Sequence, residues 1–316
     1  MTWITWRRYR VRIISLSLYV VALIVFMVLT QHAFQNAAVI CGRLHIDINQ
    51  GRHCNAASLA ESRGSLVETS IALLPFFIGL VLGTPLVASE FEHKTNRLAW
   101  SQGITRTRWL VRTWLTLAIP TVVVMSFFAL IVQWWATHIV TSISSGGGLI
   151  QPAQMLISGV APIALALMLL TLGVFIGITV RRFFSPYAMS VVTVLVVMGV
   201  MQFVLPSLAP KVVVPTYPYG VTNVPVGLRS QLWPVGSGLR RVPGFHVGTH
   251  ARTVSATFNY CKGIPACMRA HGLQLVTYYQ PESHYWTLQW REAGLYVAAT
   301  GVLLSLSIWS IRRWSA

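Results

Sequence analysis

IISLSLYVVALIVFMVL, residues 13–29, contains no charged side chain. Wound as a helix it rises about 26 Å, close to the roughly 30 Å of hydrocarbon in a bilayer. The stretch before it, MTWITWRRYRVR, interleaves Trp3, Trp6 and Tyr9 with Arg7, Arg8, Arg10 and Arg12. Aromatic rings settle at the membrane interface and arginines at anionic head groups, so residues 1–12 read as an interfacial helix that feeds an uncleaved first span. A signal peptide would have a shorter apolar core, about 7–15 residues, and a small-residue cleavage site.

The remaining composition points the same way. Of 316 residues 54% are hydrophobic and 10% charged, against about 25% charged in a soluble domain. Five more apolar stretches follow, at 70–89, 115–135, 155–180, 186–205 and 293–311. The expected fold is therefore an all-α membrane protein with six transmembrane helices. Pro75, Pro85, Pro120 and Pro162 fall within spans and predict bends. Gly79-x-x-x-Gly83 and Gly173-x-x-x-Gly177 have the spacing that lets two membrane helices approach closely.

The organisation that follows is an interfacial helix (1–12), spans one to five (13–205), a long Pro/Gly-rich outer region (206–292), and a last span with its tail (293–316). The first outer loop is 31–67, a Ser/Gly-rich turn covers 141–154, and Arg181-Arg182-Phe183-Phe184 is a basic inner turn. Within 206–292, the segments 211–219, 252–260 and 273–279 are rich in Val and Tyr and suit short strands or extended chain in a loop-rich cap.

Basic residues orient the spans. With both termini in the cytoplasm, thirteen of the 24 Lys and Arg occupy short inner segments: Arg7, Arg8, Arg10, Arg12, Lys94, Arg97, Arg106, Arg108, Arg112, Arg181, Arg182, Arg312 and Arg313. The others are spread through long loops, where charge has little influence on orientation. Net charge is +17, but no nucleic-acid-binding signature accompanies it, so head groups and topology account for it. Cys41 and Cys54 then fall in the first outer loop and Cys261 and Cys267 in the last, two local pairs on the oxidising face that suit disulfides. A metal alternative, Cys41, His45, His53 and Cys54, fits no common zinc spacing.

Several chemistries are missing. Gly146-Gly147-Gly148 lacks the lysine of a phosphate loop, so no cofactor is expected in this chain and energy must come from elsewhere. The acidic residues, Asp47, Glu61, Glu68, Glu90, Glu92, Glu282 and Glu292, lie in loops or at span ends, which weighs against an ion-coupled carrier. His138 has no evident catalytic partner. The outer histidines 246, 250, 271 and 284 are open to a metal or acid-lipid role but read more simply as solvated loop residues.

The stretch left to explain is the charged inner loop, EFEHKTNRLAWSQGITRTRWLVRTW, residues 90–114. Glu90-x-Glu92-x-x-Thr95, an apolar turn, then Thr105-Arg106-x-Arg108-Trp109-Leu110 resembles permease subunits of ABC-2 type transporters, most closely actinobacterial ones. YYQPESHYWTLQWREAGLY, residues 278–296, resembles the same group. The resemblance implies a permease without its own ATPase site, whose loop at Glu90, Glu92, Thr95, Thr105, Arg106, Arg108 and Trp109 couples to an ABC ATP-binding subunit. That partner would hold ATP and Mg. A second copy of the permease, a place in the plasma membrane and an amphiphilic or hydrophobic cargo are further expectations. The alternatives are a non-transporting membrane protein, such as a sensor or assembly partner, and an ion-coupled carrier.

Overall fold

The structure is a computed structural model. It describes residues 2–43, 55–83, 105–142, 155, 157–179, 191–192, 195–197, 199–200, 203–217, 221–222, 232–241, 267, 270–271 and 273–313. The helices are α1 (Thr2–Arg43), α2 (Asn55–Ile78, followed by a π-helical turn, Gly79–Gly83), α3 (Arg106–Ser142), α4 (Ala161–Thr179) and α5 (Tyr285–Arg313). Four strands lie between α4 and α5: β1 (Val212–Tyr217), β2 (Val221–Thr222), β3 (Leu232–Arg241) and β4 (Leu273–Pro281). Among the described residues four stretches are long and apolar enough to cross a membrane: Ile14–Ile40, Arg106–Trp135, Ala161–Thr179 and Tyr285–Arg313.

The apolar composition of α4 makes it the centre. A helix that is hydrophobic on every side must be covered on every side. In its apolar window 83% of residues are buried, against 17% for α1 and 28% for α5. One face joins Leu23 and Met27 of α1, Leu74 and Ile78 of α2 and Leu117, Met125 and Phe128 of α3. The opposite face packs on Phe76 of α2 and on Ala293 and Tyr296 of α5.

The glycines allow the closest of these approaches. A Cβ on Gly79 would stand 2.7 Å from the Leu169 Cβ, and one on Gly83 would stand 2.6 Å from the Leu170 carbonyl oxygen. The same Cβ on Gly83 would be 3.3 Å from the Gly173 Cα. Gly79, Gly83 and Gly173 thus meet at one helix crossing, and Gly177 is buried further along α4. Pro75 precedes this crossing inside α2. It cannot donate a backbone hydrogen bond, and the π turn follows at Gly79–Gly83.

Several sequence expectations are corrected. The first outer loop, 31–67, is helical over 31–43 and 55–67. These polar stretches stay helical because they pack as a hairpin: Phe34 and Ala37 of α1 bury against Ala60 of α2. The segment before the third span runs straight into it as one helix from Arg106, with the Trp109 N–H donating to the Thr105 carbonyl at 2.9 Å. The last helix starts at Tyr285 rather than 293. An all-α fold is also too simple. Between α4 and α5 lies an antiparallel sheet in the order β2-β1-β4-β3. In it β3, LWPVGSGLRR, has a proline, two glycines and no apolar alternation, and its register shifts between Pro234 and Gly236. The pairing with β4 makes it a strand, which no local pattern reveals. Cys54, Cys261 and residues 252–260 lie outside the described residues, as does the side chain of Cys41.

Side-chain bonds show which helix ends lie together. Arg312 Nε donates to Thr107 Oγ1 at 3.2 Å, so the end of α5 meets the start of α3. The Trp135 indole donates to the Met27 carbonyl at 3.1 Å, and the Tyr19 hydroxyl to the Ser70 carbonyl at 2.9 Å. Ser158 Oγ and Tyr285 Oη are 3.0 Å apart, so α4 and α5 begin at the same end, beside the sheet.

Candidate functional site

Two places concentrate polar chemistry. The first is the basic end of the bundle. The turn at Gly83 reaches α4 at Leu170 and Gly173. The Trp114 indole donates to Thr171 Oγ1 of α4 at 3.0 Å. Gly83 and Trp114 thus meet adjacent residues of α4, Leu170 and Thr171. Glu90, Glu92 and Thr95 lie outside the described residues. Of the rest, Thr105 and Arg108 are exposed and Arg106 is half-buried. Trp109 is half-buried against the core, and Leu110 beside it is fully buried. Arg112 shares the outward stripe of Arg108, one turn further on. Arg312 and Arg313 join this end from α5, with Arg313 Cζ 5.1 Å from the Trp309 ring centre.

Helix stability does not explain those cations. The first turn of α3 has no acidic residue, and positive charge at a helix N-terminus opposes the helix dipole by about 0.3–1 kcal/mol. Trp109 has a different position from the arginines: it packs partly buried against the core.

The second place is the seam between α5 and α4. Tyr285, Gln289, Glu292, Tyr296, Thr300, Ser307 and Ser310 are buried along one side of α5. On the other side Trp286, Trp290, Leu295, Val297, Val302, Leu306 and Trp309 are exposed. In water this helix would be inside out. In lipid the arrangement is sound, because the polar face finds partners only within the bundle.

Gln289 is the best-partnered member. Its Oε1 accepts from the N–H groups of Val160 at 3.1 Å and Ala161 at 2.9 Å. Its Nε2 donates to the Met155 carbonyl at 3.0 Å. The first N–H groups of a helix lack intrahelical partners, so Gln289 caps α4 from a neighbouring helix. Gly159 makes room: its φ is +82°, and a Cβ there would lie 2.6 Å from Gln289 Oε1. At the sheet side, Gln280 Nε2 donates to the Ala209 carbonyl at 2.8 Å, and Arg291 donates to the Leu208 carbonyl. Sequence reasoning missed this seam. The signal was present as polar residues at 285, 289, 292 and 296, at helical spacing opposite Trp286 and Trp290. Among the described residues no group of His, Cys, Asp and Glu is arranged to hold a metal.

Long apolar helices with a polar seam turned inward define a multi-pass membrane protein. Its family follows from comparison: a family model described as ABC-2 membrane transporter related matches residues 15–208, more than half of the chain. The chain belongs to that family and is a membrane permease of ABC-2 type. The match spans α1 to α4 and both flanks of the charged loop, and it ends before β1. The likeness at 278–296 falls outside it. Neither a curated protein nor a solved structure matches the chain.

Proposed function

We propose that the chain is the membrane half of an exporter whose ATP is hydrolysed by a separate subunit, with Mg, and which moves an amphiphilic or hydrophobic cargo across the plasma membrane. Two permease copies pair with two ATP-binding subunits. The family match over residues 15–208 carries this reading. The docking element is the loop 90–112, supported by the basic end, where the start of α3 meets the end of α5. The chain holds no phosphate loop of its own, and the lipid-facing sides of the helices are apolar, as such a cargo suits.

Six spans with both ends in the cytoplasm belong to the same proposal. Because α4 and α5 begin at one end, the chain has to cross back once between them, within residues 180–205. Val191, Val192, Leu195, Val196, Val200 and Phe203 are exposed there, as a lipid-facing helix would have them. The basic end then faces the cytoplasm, and Cys41–Cys54 and Cys261–Cys267 form disulfides outside, read by peptide mapping without reduction. Single cysteines at Ser145 and Ser315, in a background without the native four, test the orientation. An impermeant maleimide should label Ser145→Cys in intact cells and leave Ser315→Cys unlabelled; the opposite pattern rejects it.

Docking is tested by reversing charge. Arg106→Glu with Arg108→Glu should weaken capture of the ATP-binding subunit about tenfold, or ~1.4 kcal/mol. Glu90→Gln should leave capture near wild type but remove cargo stimulation of ATP hydrolysis. Wild-type capture and stimulation in both variants would make the loop a solvated connector.

A further inference from the structure

Glu292 has a property that no transport role assigned above uses. It is 3% exposed and sits within the last candidate span, two turns into α5. On that helix the exposed Trp290 and Trp309 mark two interfacial levels about 28 Å apart by helix rise, near the thickness of the hydrocarbon layer. Glu292 therefore lies just inside the membrane at the end that carries the sheet. It is the one acidic residue of that candidate span.

Among the described residues its carboxyl meets apolar side chains and no cation. Oε1 accepts from the Tyr296 hydroxyl at 2.9 Å, and Oε2 has no hydrogen-bond partner among the described residues. The neighbouring cluster is Phe76, Ala161, Ala164, Leu165, Met168 and their apolar neighbours. Its ionisable neighbours on α5 are Tyr296, Tyr285 and Arg291; Arg291 is exposed and donates to the Leu208 carbonyl. No residue of α4 is ionisable. In α2 the ionisable residues are Glu61, Arg63 and Glu68, at least two turns before Phe76. From the segment before the sheet Val197 packs here, and residues 191–205 include no ionisable side chain. A carboxylate buried without a cation is far costlier than a neutral acid with one unpaired hydroxyl.

We propose that Glu292 is a proton-binding site built into the seam between α4 and α5, occupied while the helices are packed and emptied when they part. The proton resides on Oε2, and Oε1 keeps the Tyr296 bond. Parting of the seam admits water, the Oε2–H bond breaks, and the proton leaves to water as the carboxylate becomes solvated. Closure reverses each step. Raising the pH therefore favours the parted seam, and lowering it favours the packed one. The site needs no cavity because its ligand is a proton. It rests on the packing of α4 and α5, not on export or on an ATP-binding partner.

The test uses the full chain in phosphatidylcholine vesicles. Glu292→Gln is the neutral isostere of the protonated acid and retains the packed seam. At neutral pH the infrared difference between wild type and Glu292→Gln should contain the carbonyl stretch of a protonated carboxylic acid. In a second arm, Ala293→Cys, at a buried position beside Glu292, is labelled with maleimide across a pH series. The labelling rate, divided by the rate for the same cysteine in Glu292→Gln, should rise about tenfold per pH unit until the carboxyl has titrated. An ionised carboxylate band at neutral pH overturns the proposal, because a cation would then pair with Glu292. A protonated band with a flat labelling ratio also overturns it, because the proton would be only structural.

Discussion

Gly83→Leu is expected to lower the thermal unfolding midpoint of the purified protein by roughly 5–10 °C. A Cβ at this position would sit 2.6 Å from the Leu170 carbonyl oxygen and 3.3 Å from the Gly173 Cα. Both are backbone atoms on the most buried helix, so no rotamer change relieves the collision. Overpacking of this kind costs typically 1–3 kcal/mol, and each kcal/mol moves the midpoint of a large domain by about 2–4 °C. Gly83→Ala should show a smaller shift in the same direction. Gly301→Leu is the control: nothing lies within 4 Å of its Cβ position, and its exposed face meets lipid. Equal midpoints for Gly83→Leu and Gly301→Leu would mean that α2 and α4 do not cross at these glycines.

Gln289→Leu is expected to be damaging for a different reason. It removes the partner of two N–H groups at the start of α4 and of the Met155 carbonyl. Each buried group left unsatisfied costs about 1–3 kcal/mol, so the loss should reach roughly 3 kcal/mol even with partial relaxation. Gln289→Glu separates the cap from simple packing. The carboxylate can still accept from both N–H groups, at a helix end whose dipole favours negative charge, but it cannot donate to Met155. It should recover part of the stability that Gln289→Leu loses. Trp fluorescence melts in detergent give the ranking wild type, Gln289→Glu, Gln289→Leu. If the leucine variant equals or exceeds the glutamate variant, Gln289 is a packing residue and α4 is capped by other means.

How much of this was legible beforehand depends on the range of the interaction. Residues 13–29, 115–135, 155–180 and 293–311 announced helices within a membrane because they hold long runs without charge, and a run is a local property; within 155–180 the helix begins only at Ala161, after the bend at Gly159, so Pro162 stands in its first turn and not at an internal kink. Gly79, Gly83 and Gly173 were legible as a kind of contact, since spacing alone marks a face that admits close approach. Their partners were not, because α2 and α4 are brought together by the bundle. The same limit explains the errors at element ends. The chain at 31–43 and 55–67 is polar enough to pass for a loop, but Phe34, Ala37 and Ala60 bury one another across a hairpin. Tyr285 to Glu292 looked like the edge of an outer domain, because its polar side chains were read without knowing that α4 would cover them.

The amino-acid chain alone settles that this protein lives in a bilayer, because apolar runs and a scarcity of charge need no partner to have their effect. It also carries the Glu90–Thr95 and Thr105–Leu110 pattern on which the family likeness rests. Long-range packing settles the rest. The strand β3 exists because β4 pairs with it, Gln289 is a cap because Gly159 stands where it does, and Glu292 is a membrane carboxyl because α5 begins two turns earlier than its charges suggest. Each of those properties belongs to a pair of segments more than thirty residues apart, and no pattern within either segment contains it.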